Sequence, residues 1–408
     1  MTTALIALLE KVMNPDEFSR STSGKVIRTV QGYWAFVPNP LPPPIEYDHE
    51  VVRLISEADR GLGRLTGIGQ LLPNPHLLIA PYVRREAVLS SRIEGTQASL
   101  SDLLLFEAAE EKPPHAPDVQ EVRNYVRAME YGLQRLKNLP LSLRLVREIH
   151  ARLMEGVRGE KKRPGEFRRV QNWIGPPGCS LAAATFVPPP VPEMHAALDE
   201  WEKFLHNAKD IPLLVQCALI HYQFEAVHPF VDGNGRVGRL LITFFLCERG
   251  ALPQPLLYLS AFFEHHRDEY YARLLEVSRS GDWTGWIKFF LRGIATQASV
   301  AAEDSQRILK LQQRYRELLQ KRKASPTAIA IMDELFLNPY VTATRLSKRL
   351  KVSFPTGQST IEWLVKAGIL REITGRQRNR IYCADELLRA IEGKPGGPRR
   401  GQQGKPPS

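Results

Sequence analysis

Cysteine is scarce in this chain: 4 residues in 408, Cys179, Cys217, Cys247 and Cys383, far apart and nowhere in a CxxC spacing. That spacing suggests neither a zinc module nor a disulfide framework. Long apolar runs are also missing. The longest, Leu240 to Cys247, cannot span a bilayer, and the short amphipathic start, Met1 to Asn14, is interrupted by Glu10 and Lys11. With no signal peptide or membrane span visible, the expectation is a cytoplasmic protein. Acidic charge is in deficit, 44 Asp and Glu against 55 Lys and Arg, and the deficit is local. Residues 321–408 hold 17 Lys and Arg against 7 Asp and Glu, so +10 of the net +11 belongs to the C-terminal end and the preceding body is close to neutral. A basic end of this kind can meet nucleic acid.

The length allows two or three domains with sizeable cores. What stands out is His228-Pro229-Phe230-Val231-Asp232-Gly233-Asn234-Gly235-Arg236-Val237-Gly238-Arg239, a mixture that makes no sense as core. An apolar, helix-length run from Leu213 to Val227 precedes it and a second begins at Leu240, so the twelve residues read as a loop between two buried helices. Gly233 and Gly235 can take positive φ and let backbone N–H groups converge on an anion, with the N-terminus of the following helix aimed at the same point. That makes a phosphate cradle. Arg236 and Arg239, three apart on the first turn, can hold successive phosphates through their planar forks. Asp232 suits Mg²⁺, which on nucleotides needs only one or two carboxylates. His228 is placed to be a base.

The same residues match the pattern HPFx(D/E)GNGRxxR without departure, and the chain is identified on them as a member of the Fic-domain family. The resemblance implies a mainly α fold, a Fic-type helical bundle with a β-hairpin flap. It also implies transfer of AMP from ATP to a Ser, Thr or Tyr hydroxyl of a target protein. In the family's terms His228 takes the hydroxyl proton, Asp232 holds Mg²⁺, Asn234 with the Gly233 and Gly235 amides surrounds the α-phosphate, and Arg236 and Arg239 bind the outer phosphates. Such chemistry asks a protein for positioning, charge stabilisation and one proton transfer.

Upstream, a helix predicted over about residues 79–91 runs into Arg92-Ile93-Glu94-Gly95, with Ser90 and Glu94 on one face and Gly95 a plausible cap. Ser90-x-x-x-Glu94-Gly95 resembles the inhibitory motif (S/T)xxxE(G/N) of Fic proteins. The resemblance implies that Glu94 reaches the second arginine, Arg239, and occupies the region the γ-phosphate needs.

Other stretches fill in the domain reading. Residues 1–45 hold few periodic signals, and a helix is predicted from Ile45 to about Gln70. Pro164 to Gly175 resembles the family's lead-in to the flap, with Cys179 to Val187 supplying the hairpin on which a target protein would dock as an added strand. Tyr271 is implied near the adenine, where a stacked ring is plausible; Ser278 stands where some relatives carry an Asn to the base. From Pro326 the pattern reads helix, helix, turn, helix (Gln358 to Ala367), then strands at 369–373 and 380–383 around Thr374-Gly375-Arg376-Gln377-Arg378-Asn379. This resembles a winged helix-turn-helix, which can bind DNA, dock a protein or dimerise. The expected layout is an N-terminal helical region 1–110, a Fic core 111–300, a linker helix 301–325, a winged helix 326–392 and a disordered basic tail 393–408. Two other functions stay open on the sequence: removal of AMP from a modified protein with Glu94 positioning water, and a DNA-binding regulator that senses nucleotide. Whether the protein is a homodimer is also open.

Overall fold

The computed structural model describes residues 12–70, 76–109, 116–157, 159, 162–208 and 210–393. The basic tail from 394 onward lies outside the described residues, as does the proline-rich break at 113–115. The first regular elements are ones the sequence hides. After a 3-10 turn, Pro15–Phe18, strands β1 (Gly24–Arg28) and β2 (Trp34–Pro38) pair antiparallel with Val26 opposite Phe36. A stretch with few periodic signals becomes a hairpin because Phe36 is fully buried between Phe18 and Phe186, its ring centroid 5.7 Å from each.

Fifteen α-helices follow among the described residues. Helix α1 (His49–Gln70) starts four residues later than the periodicity suggests, because Asp48 caps it by accepting the Val51 N–H at 2.8 Å. Then come α2 (His76–Ile93), α3 (Leu100–Ala109), α4 (Ala116–Arg135), α5 (Leu143–Leu153) and α6 (Val191–Asn207). Helices α7 (Leu213–Val227) and α8 (Asn234–Glu248) flank the twelve-residue stretch, the second opening within it. Thirteen of the 15 residues of α7 are buried, so it has no solvent face and must lie at the centre of its bundle. Two indoles close on its backbone: Trp201 of α6 donates to Ile220 O, and Trp286 to Ala218 O. Short α9 (Ser260–His265) and α10 (Arg267–Ser280) lead to α11 (Trp283–Lys321). The expected linker helix is the C-terminal part of this single 39-residue helix. Among the described residues no helix is long and apolar enough to cross a membrane.

The flap segment differs from expectation. Residues 179–187 hold a 3-10 turn, Leu181–Ala183, and one antiparallel bridge, Ile174 to Phe186, in place of two strands. Pro176 and Pro177 on one side and Pro188 to Pro190 on the other have no N–H to extend a ladder.

Two compact units interleave in sequence where linear domains were expected. The first comprises Met1–Pro75, Glu86–Ser99 and His115–Ala302; the second His76–Arg85, Leu100–Pro114 and Glu303–Ser408. The second unit contains α12 (Pro326–Leu337), β3 (Tyr340–Val341), α13 (Ala343–Leu350), α14 (Phe354–Lys366), β4 (Arg371–Glu372), β5 (Tyr382–Cys383) and α15 (Asp385–Glu392). Its sheet is antiparallel in the order β3-β5-β4. Helix α14 begins at Phe354, not Gln358, because Ser353 accepts the Thr356 N–H and Pro355 suits the first turn. Strand β3 is short and was not anticipated; Asn338 holds it by accepting the Tyr340 N–H and donating to Leu104 O.

Candidate active site

The site is built where α7 ends. His228 caps that helix in the left-handed region, φ 49 and ψ 60, its N–H returning to Phe224 O. The chain then turns to Gly233, φ 81, which caps the start of α8. A β-carbon on Gly233 would meet Met154 Sδ at 3.0 Å, so this position needs glycine for space as well as for conformation. Asn234 staples the loop: its Oδ1 accepts the Phe230 N–H and its Nδ2 donates to Phe230 O, both at 2.8 Å. Its side chain is therefore engaged with the loop, and what Asn234 can offer an anion is its main-chain N–H. The first helical bond of α8 runs from Val237 N–H to Gly233 O, so the N–H groups of Asn234, Gly235 and Arg236 precede the ladder.

The loop is gripped from three more places. His150 of α5 stacks on Phe230 at 3.7 Å; its Nδ1 accepts the Gly165 N–H, so its Nε2 carries the proton donated to Asp232 O. Burial lowers its pKa to about 4, which keeps this ring neutral. From the lead-in to the flap, Arg168 Nε and Asn172 Nδ2 both donate to His228 O at 3.1 Å, and Asn172 also donates to Phe230 O. His228 itself is half-buried. Its Nδ1 lies 3.3 Å from Glu225 O, a group that can only accept, which assigns the proton to Nδ1 and leaves Nε2 with the lone pair. Burial pulls its pKa down to about 4, with the nearby Arg168 charge working in the same direction.

Arg239, 2% exposed, is engaged through two of its nitrogens. Its Nε donates to Ser90 Oγ at 2.8 Å, and its Nη2 donates to Ser90 O at 2.9 Å and to Glu94 Oε1 at 2.7 Å. Burial works to raise the Glu94 carboxyl, but Arg239 outweighs it and holds the group below the ordinary carboxylate value. A β-carbon on Gly235 would stand against Glu94 Oε1 and Arg239 Nη1. The carboxylate therefore rests on the opening turn of α8, where the sequence places a phosphate. One turn before Ser90 on α2, the buried Glu86 accepts from Ser260 and Tyr125, which fixes the helix that carries Ser90 and leads into Glu94.

Arg236 is engaged differently. Its Nη1 lies 3.1 Å from Glu121 Oε2 of α4 and its Nη2 3.6 Å from Asp232 Oδ1. Asp232 also pairs with Lys162 at 3.2 Å, its side chain a quarter exposed. One partly accessible carboxylate beside a helix N-terminus fits a magnesium ion whose other ligands are phosphate and water; no group of three or more His, Cys, Asp or Glu placed to hold a metal ion occurs among the described residues. The ring of Tyr271 is half-buried, with the Arg267 guanidinium 5.8 Å from its centroid. Ser278 does not join them: it is buried, with its hydroxyl 2.8 Å from Tyr222 OH.

Glu121, His150, Arg168 and Asn172 were not anticipated as site residues. Arg168 and Asn172 lie in a segment singled out as the flap lead-in. Glu121 gave the one local signal, an acid among the apolar positions Val119, Val122 and Val126 of its helix.

Residues 52–134 match the Fic/DOC family N-terminal domain and residues 140–246 the Fic/DOC family. A protein adenylyltransferase Fic from Drosophila grimshawi is 28% identical over 165 residues, 40% of this chain and 30% of that protein. A probable protein adenylyltransferase from Aquifex aeolicus is 32% identical over 178 residues, 41% of this chain and 49% of that one. The matches thus span less than half the length of these curated relatives. Among solved structures, a Fic family protein from Desulfovibrio desulfuricans aligns over 84% of this chain and 98% of its own at TM-score 0.52 and 20% identity, a likeness of fold.

Proposed function

We propose, from the premise that residues 52–134 and 140–246 belong to the Fic/DOC family, that this protein is a protein adenylyltransferase held in an autoinhibited state. The observation that carries the reading is the Glu94 carboxylate bonded to Arg239 over Gly235, at the anion seat of α8, while a neutral His228 closes the other end of the same loop. ATP and Glu94 compete for one guanidinium and one helix N-terminus.

With Glu94 displaced, the outer phosphates of ATP pair with Arg239 and Arg236, and the main-chain N–H groups of Asn234 and Gly235 face the α-phosphate. His228 Nε2 takes the proton of a target hydroxyl as its oxygen bonds to the α-phosphorus. The bond to pyrophosphate breaks, and the two arginines hold the leaving charge. Tyr271 borders the adenine. Asp232 would hold magnesium, which supplies charge neutralisation on the phosphates. The target docks along residues 170–187, where Val170 and Trp173 are exposed; backbone pairing there carries little preference for sequence, so target identity is weakly encoded.

The second unit supports a further reading. Arg376, Arg378 and Arg380 are exposed on the turn between β4 and β5, whereas the exposed face of α14 carries one base, Lys366, and one acid, Glu362. Contact with duplex DNA would then rest on phosphates met by the wing and fall steeply with salt. Retention of the full chain on duplex DNA that ignores salt would overturn it.

The enzymatic reading is tested with α-phosphate-labelled ATP and magnesium, using self-modification and a cell lysate as acceptors. Label is expected strongly with Glu94→Gly, weakly with wild type, and not with Glu94→Gly/His228→Ala. Equal labelling by all three would sink the assignment.

A further inference from the structure

Arg168 is a fully buried cation of the first unit, 1% exposed, and among the described residues every hydrogen bond of its guanidinium goes to a main-chain carbonyl. Its Nε–H goes to His228 O at 3.1 Å, its Nη1 to Val170 O at 3.4 Å, and its Nη2 to Pro189 O. Its own N–H donates to Pro229 O at 2.8 Å. A buried guanidinium without a counter-ion is costly, and burial lowers its pKa to about 10. Packing alone would be served as well by an apolar side chain of similar volume. What an arginine provides is a rigid fork that binds several carbonyls at once in fixed relative positions.

Those carbonyls belong to three segments with separate roles. Val170 opens the ascending limb of the docking loop, and Pro189 follows its descending limb, which the Ile174–Phe186 bridge ties back. His228 holds the base. Its left-handed φ of 49 is unfavourable for a residue with a β-carbon and persists only where the surroundings impose it. The imposition is visible: Arg168 and Asn172 both donate to the His228 carbonyl, at 3.1 Å each.

We propose that Arg168, assisted by Asn172, is the positioning residue that couples the docking loop to the base, fixing the His228 imidazole when residues 170–189 are held by a target. This rests on the reading of His228 as base. The charged groups that act on the imidazole are Arg168 from this segment, Asp232 from its own loop and Glu94 from the turn after α2; in a Glu94→Gly background the last is absent. Arg168 then acts in two separable ways, through its fork on the carbonyl and through its charge on the ring.

The experiment uses full-length Glu94→Gly protein carrying Arg168→Lys, Arg168→Gln or Asn172→Ala. It reads kcat, KM for ATP, the pH profile of kcat and the NMR titration of the His228 ring. Arg168→Lys is expected to lower kcat by about 10²-fold, the scale of a mispositioned general base, with KM for ATP and the ring titration unmoved. Arg168→Gln should lower kcat similarly and move the His228 titration up towards its ordinary value. Asn172→Ala, which removes one of the two bonds to the same carbonyl, should lower kcat less, again with KM unmoved; it carries the test if the Arg168 variants fail to fold. Folded variants that keep parental kcat, or lose ATP binding in step with kcat, would overturn the proposal. Transfer surviving His228→Ala would instead overturn the base assignment, and the ring titrations would still report whether Arg168 sets that imidazole's environment.

Discussion

Arg239 Nη2 lies 2.7 Å from Glu94 Oε1, across 145 residues of sequence, while the same guanidinium holds both the hydroxyl and the carbonyl of Ser90. The arginine is thus positioned by a serine of α2 and neutralised by a glutamate in the turn just beyond the end of that helix. Removing each has a different consequence.

Glu94→Gly leaves Arg239 seated by Ser90 and opens the anion site. A hydrogen bond to a charged group contributes about 1.5–3 kcal/mol, so transfer or apparent ATP affinity should rise roughly 10- to 100-fold. Ser90→Ala removes the seat of the Nε donor, and it should lower transfer in the Glu94→Gly background where Glu94→Gly alone raises it. Titration of ATP by calorimetry separates the two.

Gly235→Ala places a β-carbon against Glu94 Oε1 and 3.0 Å from Arg239 Nη1. In the Glu94→Gly background that carbon still crowds Arg239 and the helix N-terminus. ATP affinity should fall by about tenfold or more, the scale of one lost charge-assisted bond. Unchanged binding would mean that the phosphates do not approach this turn.

Glu121→Ala strands Arg236, 3% exposed, without the carboxylate 3.1 Å away. Breaking a buried pair from one side typically costs about 3–5 kcal/mol. Urea denaturation of the variant should show a loss of that order, partly recovered by saturating ATP if Arg236 binds phosphate.

Acid should destabilise the fold through its buried histidines. Burial lowers the pKa of His150 to about 4 and of His221 to about 3, both below the unfolded value near 6.5. The unfolded chain therefore takes up protons first as pH falls, and the stability these rings contribute above pH 6.5 is lost between about 6.5 and their folded values, by roughly 1 kcal/mol per histidine per pH unit. The melting temperature should drop steadily from pH 6.5 to 4. His228, also near 4, should leave the transfer rate of Glu94→Gly without an acid limb at pH 6 to 7.

The twelve residues from His228 to Arg239 were legible because their chemistry is contiguous: a helix end, a glycine turn and a helix start bring a histidine, an acid and two arginines together within one local stretch. Helices α12, α13 and α14 of the second unit were legible and α15 was not; the start of α14 was missed because Ser353 and Pro355 were not read as its cap and first turn. Glu94 was legible as a motif, but its seat on Arg239 is a tertiary contact. The β1–β2 hairpin, the His150 brace, the Glu121 partner of Arg236 and the Arg168 fork were decided by tertiary structure alone. Each acts on a main-chain carbonyl, a buried ring or a distant charge. A carbonyl is the same group at every residue, so no local pattern marks which one will be held; only the folded chain brings Arg168 to His228.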